Sequence, residues 1–149
     1  MALASIDDML LALGEDTLRA IADHDGDRVV DDAAVTRALE DASDDVRGYI
    51  PSDLLPYIDE DSPPPKLRRV TVVLAAQLLR EAREQVTEAS DAAHTRAMRW
   101  LEQLASDKVS LVGVVVPPGT VDDMMLDPGD PEAEGQSRIW NRTSSSKVF

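Results

Sequence analysis

The stretch Lys66–Glu88, KLRRVTVVLAAQLLREAREQVTE, decides the fold class. Leu67, Val70, Leu74, Leu78 and Ala82 recur at helical spacing, and Val73, Ala75 and Leu79 widen the stripe. The β-branched run Val70–Val73, VTVV, reads locally as a strand. The 3.6-residue period persists through the whole segment, however, and a strand would alternate with period two. The segment is therefore a helix, and as the most hydrophobic one it belongs at the centre of the domain.

Composition agrees. The 149 residues set the scale of one domain with a single modest core. Hydrophobic residues make up 43% but aromatics only 3%, so the core is Leu, Val, Ala and Ile, which favours helix-on-helix packing. The chain has no cysteine, which excludes a disulfide framework, thiolate metal ligation and cysteine catalysis.

Helices are expected on either side of this centre. Ser5 precedes IDDMLLAL, where Ile6, Met9, Leu10 and Leu13 share a stripe and Gly14 marks the end. A short helical turn follows in EDTLRAIAD, with Leu18, Ile21 and Ala22 apolar. From about Asp32 to Ile50, Val35, Ala38, Leu39, Ala42, Val46, Tyr49 and Ile50 form an amphipathic helix halted by Pro51. The loop PSDLLPYIDEDSPPP closes with three prolines on an extended path. Asp91 is expected to cap a further helix, with Ala93, Ala97, Leu101 and Leu104 inward and Trp100 beside them.

After Asp107 the character changes. KVSLVGVVVPPG has the β-branched content and Pro-Pro-Gly stop of a strand, centred on 109–116. An acidic, Pro- and Gly-rich arm follows, and then SRIWNRTSSSKVF. The expected architecture is mainly α: a small bundle of about five helices with a short β segment and an extended C-terminal arm. Residues 1–110 form the helical domain; 111–149 hold the β segment, the acidic arm and a partner-binding tail. In that tail Arg138, Ile139, Trp140, Arg142, Lys147, Val148 and Phe149 are the candidate contacts, apolar anchors on a basic, otherwise polar terminus.

Charge narrows the function classes. The net charge is −14. Residues 1–65 carry 17 acids and 4 bases, residues 66–110 carry 6 acids and 8 bases, and residues 111–135 carry 6 acids and no base. The last 14 residues hold 3 bases and no acid. Such a chain does not bind nucleic acid by neutralising phosphates, but it suits a surface past which DNA slides. The opening MALASIDDML lacks the basic region of a signal peptide, and no apolar run reaches the roughly 18 residues of a membrane span. A soluble, cytoplasmically made protein is expected.

The candidate metal loop is DHDGDRVVDD, residues 23–32. Asp23, Asp25 and Asp27 fill the first three ligand places of an EF-hand, and Asp31 the ninth. The sixth place, normally Gly, is Arg28, and the twelfth, normally a bidentate Glu, is Ala34. The competing reading is a tight interhelical turn in which Gly26 takes the unusual dihedral and Asp31 or Asp32 caps the next helix. His24 and His94 lack metal-ligand spacing, and GVVVPPG lacks the Lys and Ser/Thr of a phosphate loop. Paired acids such as Asp7/Asp8 and Asp44/Asp45 read as solvated helix faces. No active site and no cofactor are expected.

Several segments together resemble the neck, or head–tail connector (head-completion adaptor), proteins of Mu-like phages and prophages. They are SIDDMLLALGEDTL, the D-x-D-G-D turn at Asp23–Asp27, the helix Ala38–Ile50, RWLEQLASDKVSL and the closing SRIWNRTSSSKVF. The sequence departs from the family in the loop 49–65 and at Arg28, where Gly is often seen. The resemblance implies a virion protein of the neck, assembled in the host bacterial cytoplasm. It implies a homo-oligomeric, dodecameric ring between the portal protein and the tail terminator or other neck proteins. DNA would pass through its lumen without specific binding, and the C-terminal tail would reach into the portal. Segment 109–116 would pair with a strand of a neighbour. Two other classes stay open: a calcium-binding regulator using Asp23, Asp25, Asp27 and Asp31, and an acidic DNA mimic that inhibits a nucleic-acid enzyme.

Overall fold

The computed structural model describes residues 2–116. The arm and the tail residues Arg138, Ile139, Trp140, Arg142, Lys147, Val148 and Phe149 lie outside the described residues. Five α-helices follow in order: α1 Ile6–Leu13, α2 Glu15–Ala22, α3 Asp32–Tyr49, α4 Pro65–Ala82 and α5 Glu88–Ala105. A single 3₁₀ turn, Leu55–Tyr57, interrupts the loop between α3 and α4.

The central helix is α4. It packs against all four others, most extensively against α3. Leu67, Val70, Leu74, Ala75 and Leu79 are buried on it as the periodicity predicts. Val73 and Leu78, however, are only partly buried and Ala82 is exposed, while Val72 and Ala76 outside that stripe are buried. The VTVV run is helical because burial outweighs the weak intrinsic cost of β-branched residues. Thr71, also fully buried, donates its hydroxyl to the Leu67 carbonyl, so its polar atom is satisfied within its own helix. Pro64 is extended (φ −51°, ψ 137°) and Pro65 occupies the first turn, where its missing N–H costs nothing.

The first three helices also follow the sequence pattern. Ser5 and Asp8 form a reciprocal capping box on α1. Gly14, at φ +80°, closes α1 and opens α2, a conformation that residues with a Cβ rarely adopt. Leu18, Ile21 and Ala22 of α2 and Val35, Ala38, Leu39, Ala42 and Val46 of α3 are all buried. On α1 the stripe is narrower than expected: Met9 is buried, but Leu10 is 41% exposed.

Three expectations need correction. The central helix stops at Ala82 rather than running to Glu88. Gln85 N–H bonds to the Arg80 carbonyl and Glu84 N–H to the Glu81 carbonyl, which is the Schellman arrangement. Glu84 holds the left-handed position at φ 54°, where Gly is usual, so the ordinary stop signal is missing from the sequence. Replacing Glu84 by Gly should relieve this conformation and stabilise the domain by roughly 0.5–1 kcal/mol in chemical denaturation.

The last helix begins earlier than expected. Thr87, not Asp91, is its N-cap: Thr87 and Ser90 exchange side-chain-to-backbone bonds of 3.1 and 3.0 Å. Asp91 lies inside the first turn, where its charge favours the helix N-terminus. The third correction concerns 109–116, which forms no strand. β-propensity is realised only against cross-strand neighbours, and no strand exists among the described residues to supply a ladder. The segment is a loop, with Gly113 at φ +100°, anchored by buried Leu111 while Val112 and Val115 face solvent.

Candidate functional site

The acidic loop between α2 and α3 is held by its own backbone. The Asp23 carboxylate accepts from the N–H groups of Gly26 (2.6 Å) and Arg28 (3.1 Å). Asp27 accepts from Val29 N–H at 2.8 Å. The Asp31 N–H donates to the Ala22 carbonyl at 3.0 Å and closes the loop onto the end of α2. Gly26 takes φ +80°, as the spacing suggested, and Arg28 takes a second left-handed conformation at φ 66°. The sharp turn is therefore made in spite of the arginine.

Of the four candidate metal ligands, the fold brings together three. Carboxylate oxygens of Asp23, Asp25 and Asp27 lie within 4.8 Å of one another. Asp31 is not among them, because its carboxylate caps α3 by accepting from Ala33 and Ala34 N–H, both at 3.1 Å. The EF-hand's twelfth position, Ala34, is already inside α3 and has no oxygen to offer. The donor set fits a hydrogen-bonded turn better than a calcium ring of six to eight oxygens.

Partial burial raises the Asp23 pKa. The N–H donors of Gly26, Arg28 and Asp27 and the nearby Arg83 guanidinium outweigh it, and hold the carboxyl below its ordinary 3.8. The folded chain thus binds this proton less tightly than the unfolded chain. The resulting stability is complete above the unfolded value and is lost as pH falls through the lower folded one. Acid titration of Asp23→Asn should show a shallower loss of stability below pH 3.8 than the parent chain shows.

Charge is segregated as the sequence indicates. Asp25, Asp27, Asp32, Glu40, Asp41, Asp44 and Asp45 are all exposed. No helix among the described residues is long and apolar enough to cross a membrane.

A surface feature escaped the sequence reading. Between α1, α4 and α5 lies a groove of about 290 Å³ with an apolar floor, rimmed by Arg69 and Arg80 of α4. The signal is two arginines eleven residues apart on one stripe of α4, shared with Val73 and Ala76, readable only once the orientation of α4 is known. A second open depression, of about 500 Å³, lies beside the acidic loop, where His24 and Asp31 meet Leu78 and Ala82.

Residues 4–119 match the family described as Bacteriophage Mu, Gp36, a span that takes in all five helices. No curated protein matches the chain.

Proposed function

We propose, on the premise that the chain belongs to the bacteriophage Mu Gp36 family, that it is a non-enzymatic structural protein of the virion. In this reading it is a head–tail connector whose copies form a dodecameric ring between the portal protein and the tail. The observation that carries the reading is the acidic charge exposed on the helical unit. The acids of the loop and α3 stand on the surface, not paired away in a core. An acidic lumen repels the phosphate backbone and lets DNA pass without retention. Helices that bury their apolar faces against one central member repeat around an axis without deforming.

The C-terminal Arg138, Ile139, Trp140, Arg142, Lys147, Val148 and Phe149 supply the contact to the portal. Repetition around the ring turns a weak single contact into a strong one. Negative-stain imaging of the full chain mixed with purified portal should show an added ring. Deleting residues 137–149 should abolish attachment and leave the helical content unchanged. Undiminished attachment would remove the tail's role, and no added ring with the full chain would sink the connector reading.

The cluster of Asp23, Asp25 and Asp27 carboxylates favours a second reading, a calcium-responsive regulator. Titration calorimetry with calcium chloride separates the two: saturable heat at micromolar calcium supports the regulator, and silence removes it. A DNA-mimic inhibitor would instead remain a monomer and ignore the portal.

A further inference from the structure

We infer that the acidic loop of one copy of this chain docks into the Arg69/Arg80 groove of a second copy, with Val29 as its apolar knob. The contact rests on the ring reading for its setting, but it is a property of the isolated chain.

The groove is built to receive an acidic, apolar-tipped partner. Its floor includes Leu13, Val73, Ala76 and Ala93. Arg69 and Arg80 stand about 16 Å apart along α4 and within about 20° of one stripe, from eleven residues at 1.5 Å and 100° each. Neither arginine side chain has an ion pair or a hydrogen bond among the described residues. In a chain of net charge −14, they set two positive charges around apolar surface, within a stretch, residues 66–110, whose bases outnumber its acids. Exposed Leu11 and Val86, next in sequence to groove residues Ala12 and Thr87, add to the apolar surface there.

The loop is the complementary shape. Val29 is 61% exposed and sits beside exposed Asp25 and Asp27. Even with Arg28, residues 23–32 carry five acids against one base. The backbone bonds to Asp23 and Asp27 and the Asp31–Ala22 closure already fix its conformation, so little entropy is lost on docking.

The two surfaces lie on different faces of α4 and share no residue. The loop shares a depression with Leu78 and Ala82, and the groove lies on the stripe of Ala76 and Arg80. Each step of two residues turns the helix by about 200°. No loop residue lines the groove of its own chain, so the groove a loop fills is that of another copy. Such a contact is head-to-tail, and head-to-tail contacts close into rings or extend as filaments.

The absence of cysteine makes the test clean. Full-length Val29→Cys and Ala12→Cys chains are mixed under mild oxidation, with Leu55→Cys, outside the groove, as the control partner. The expected result is a mixed disulfide dimer formed about tenfold faster with Ala12→Cys than with Leu55→Cys. Adding Arg69→Glu and Arg80→Glu to the Ala12→Cys chain, or raising salt to screen the charges, should return the rate to that of the control. Equal rates with the two partners overturn the proposal, as does a rate unaffected by charge reversal. Equally fast pairing of Val29→Cys with itself also overturns it, because that marks a symmetric contact. A crosslink that forms only after residues 117–149 are deleted overturns it too, by making that segment the occupant of the groove in the full chain. A crosslink without a ring on the portal would leave the contact standing and remove the connector reading; a ring without the crosslink would do the reverse.

Discussion

Leu74→Ala should lower the free energy of unfolding by about 2–5 kcal/mol, the range for emptying a core leucine site. Leu74 is 4% exposed and sits midway along the helix that all four others pack against. Truncation removes its transfer free energy and leaves a cavity that only partial collapse can fill. Against a total stability of about 5–15 kcal/mol, this is a large fraction. In urea the midpoint should fall by on the order of 1–3 M with little change in slope. Leu11→Ala is the matched control. That leucine is 85% exposed, and its removal should change stability by less than about 0.5 kcal/mol. Comparable losses at the two sites would mean that α4 is not the centre of the core.

Ser43→Ala should cost about 1–3 kcal/mol, more than its single lost hydroxyl suggests. Ser43 is fully buried in α3 and accepts the Leu3 N–H at 2.8 Å, while its own hydroxyl donates to the Leu39 carbonyl at 2.6 Å. Leu3 is itself 1% exposed, so alanine would leave its N–H buried without an acceptor. The segment before α1 should then detach locally, with Leu3 following. Hydrogen exchange reads this directly: protection at Leu3 should fall far more than protection in α4. Uniform loss across the domain would instead indicate a purely global role for Ser43.

These two sites differ in how visible they are beforehand. Leu74 belongs to a stripe that any count of apolar spacing finds, because a helix must bury what recurs every three to four residues. Ser43 belongs to no pattern. Its partner is forty residues away, and a serine in the middle of a helix reads as neutral surface until packing places a backbone N–H against it.

The helix boundaries divide in the same way. Ser5, Gly14, Asp31 and Pro51 are stop and start signals with local causes, and α1 and α3 begin and end where those residues dictate. The end of α4 has no such signal. Glu84 adopts a left-handed conformation usually left to glycine, so nothing in the sequence marks the point where the backbone turns. The strand expected at 109–116 failed for a related reason: a strand is a relation between two segments, and one segment cannot display it.

In the candidate site, the sequence revealed the acidic turn and the two defects that spoil it as a calcium ring, Arg28 and Ala34. The structure chose Asp31 over Asp32 as the α3 cap and withdrew it from the site where Asp23, Asp25 and Asp27 converge. By itself, then, the sequence determined an α-helical, cysteine-free, acidic domain centred on the segment 66–88, because period, composition and charge are summed over many residues. Tertiary structure alone decided where the arginine-rimmed groove opens and that it lies on a different face of α4 from the acidic loop. Those facts depend on which way one helix is turned, and that rotation is set by the packing of all five.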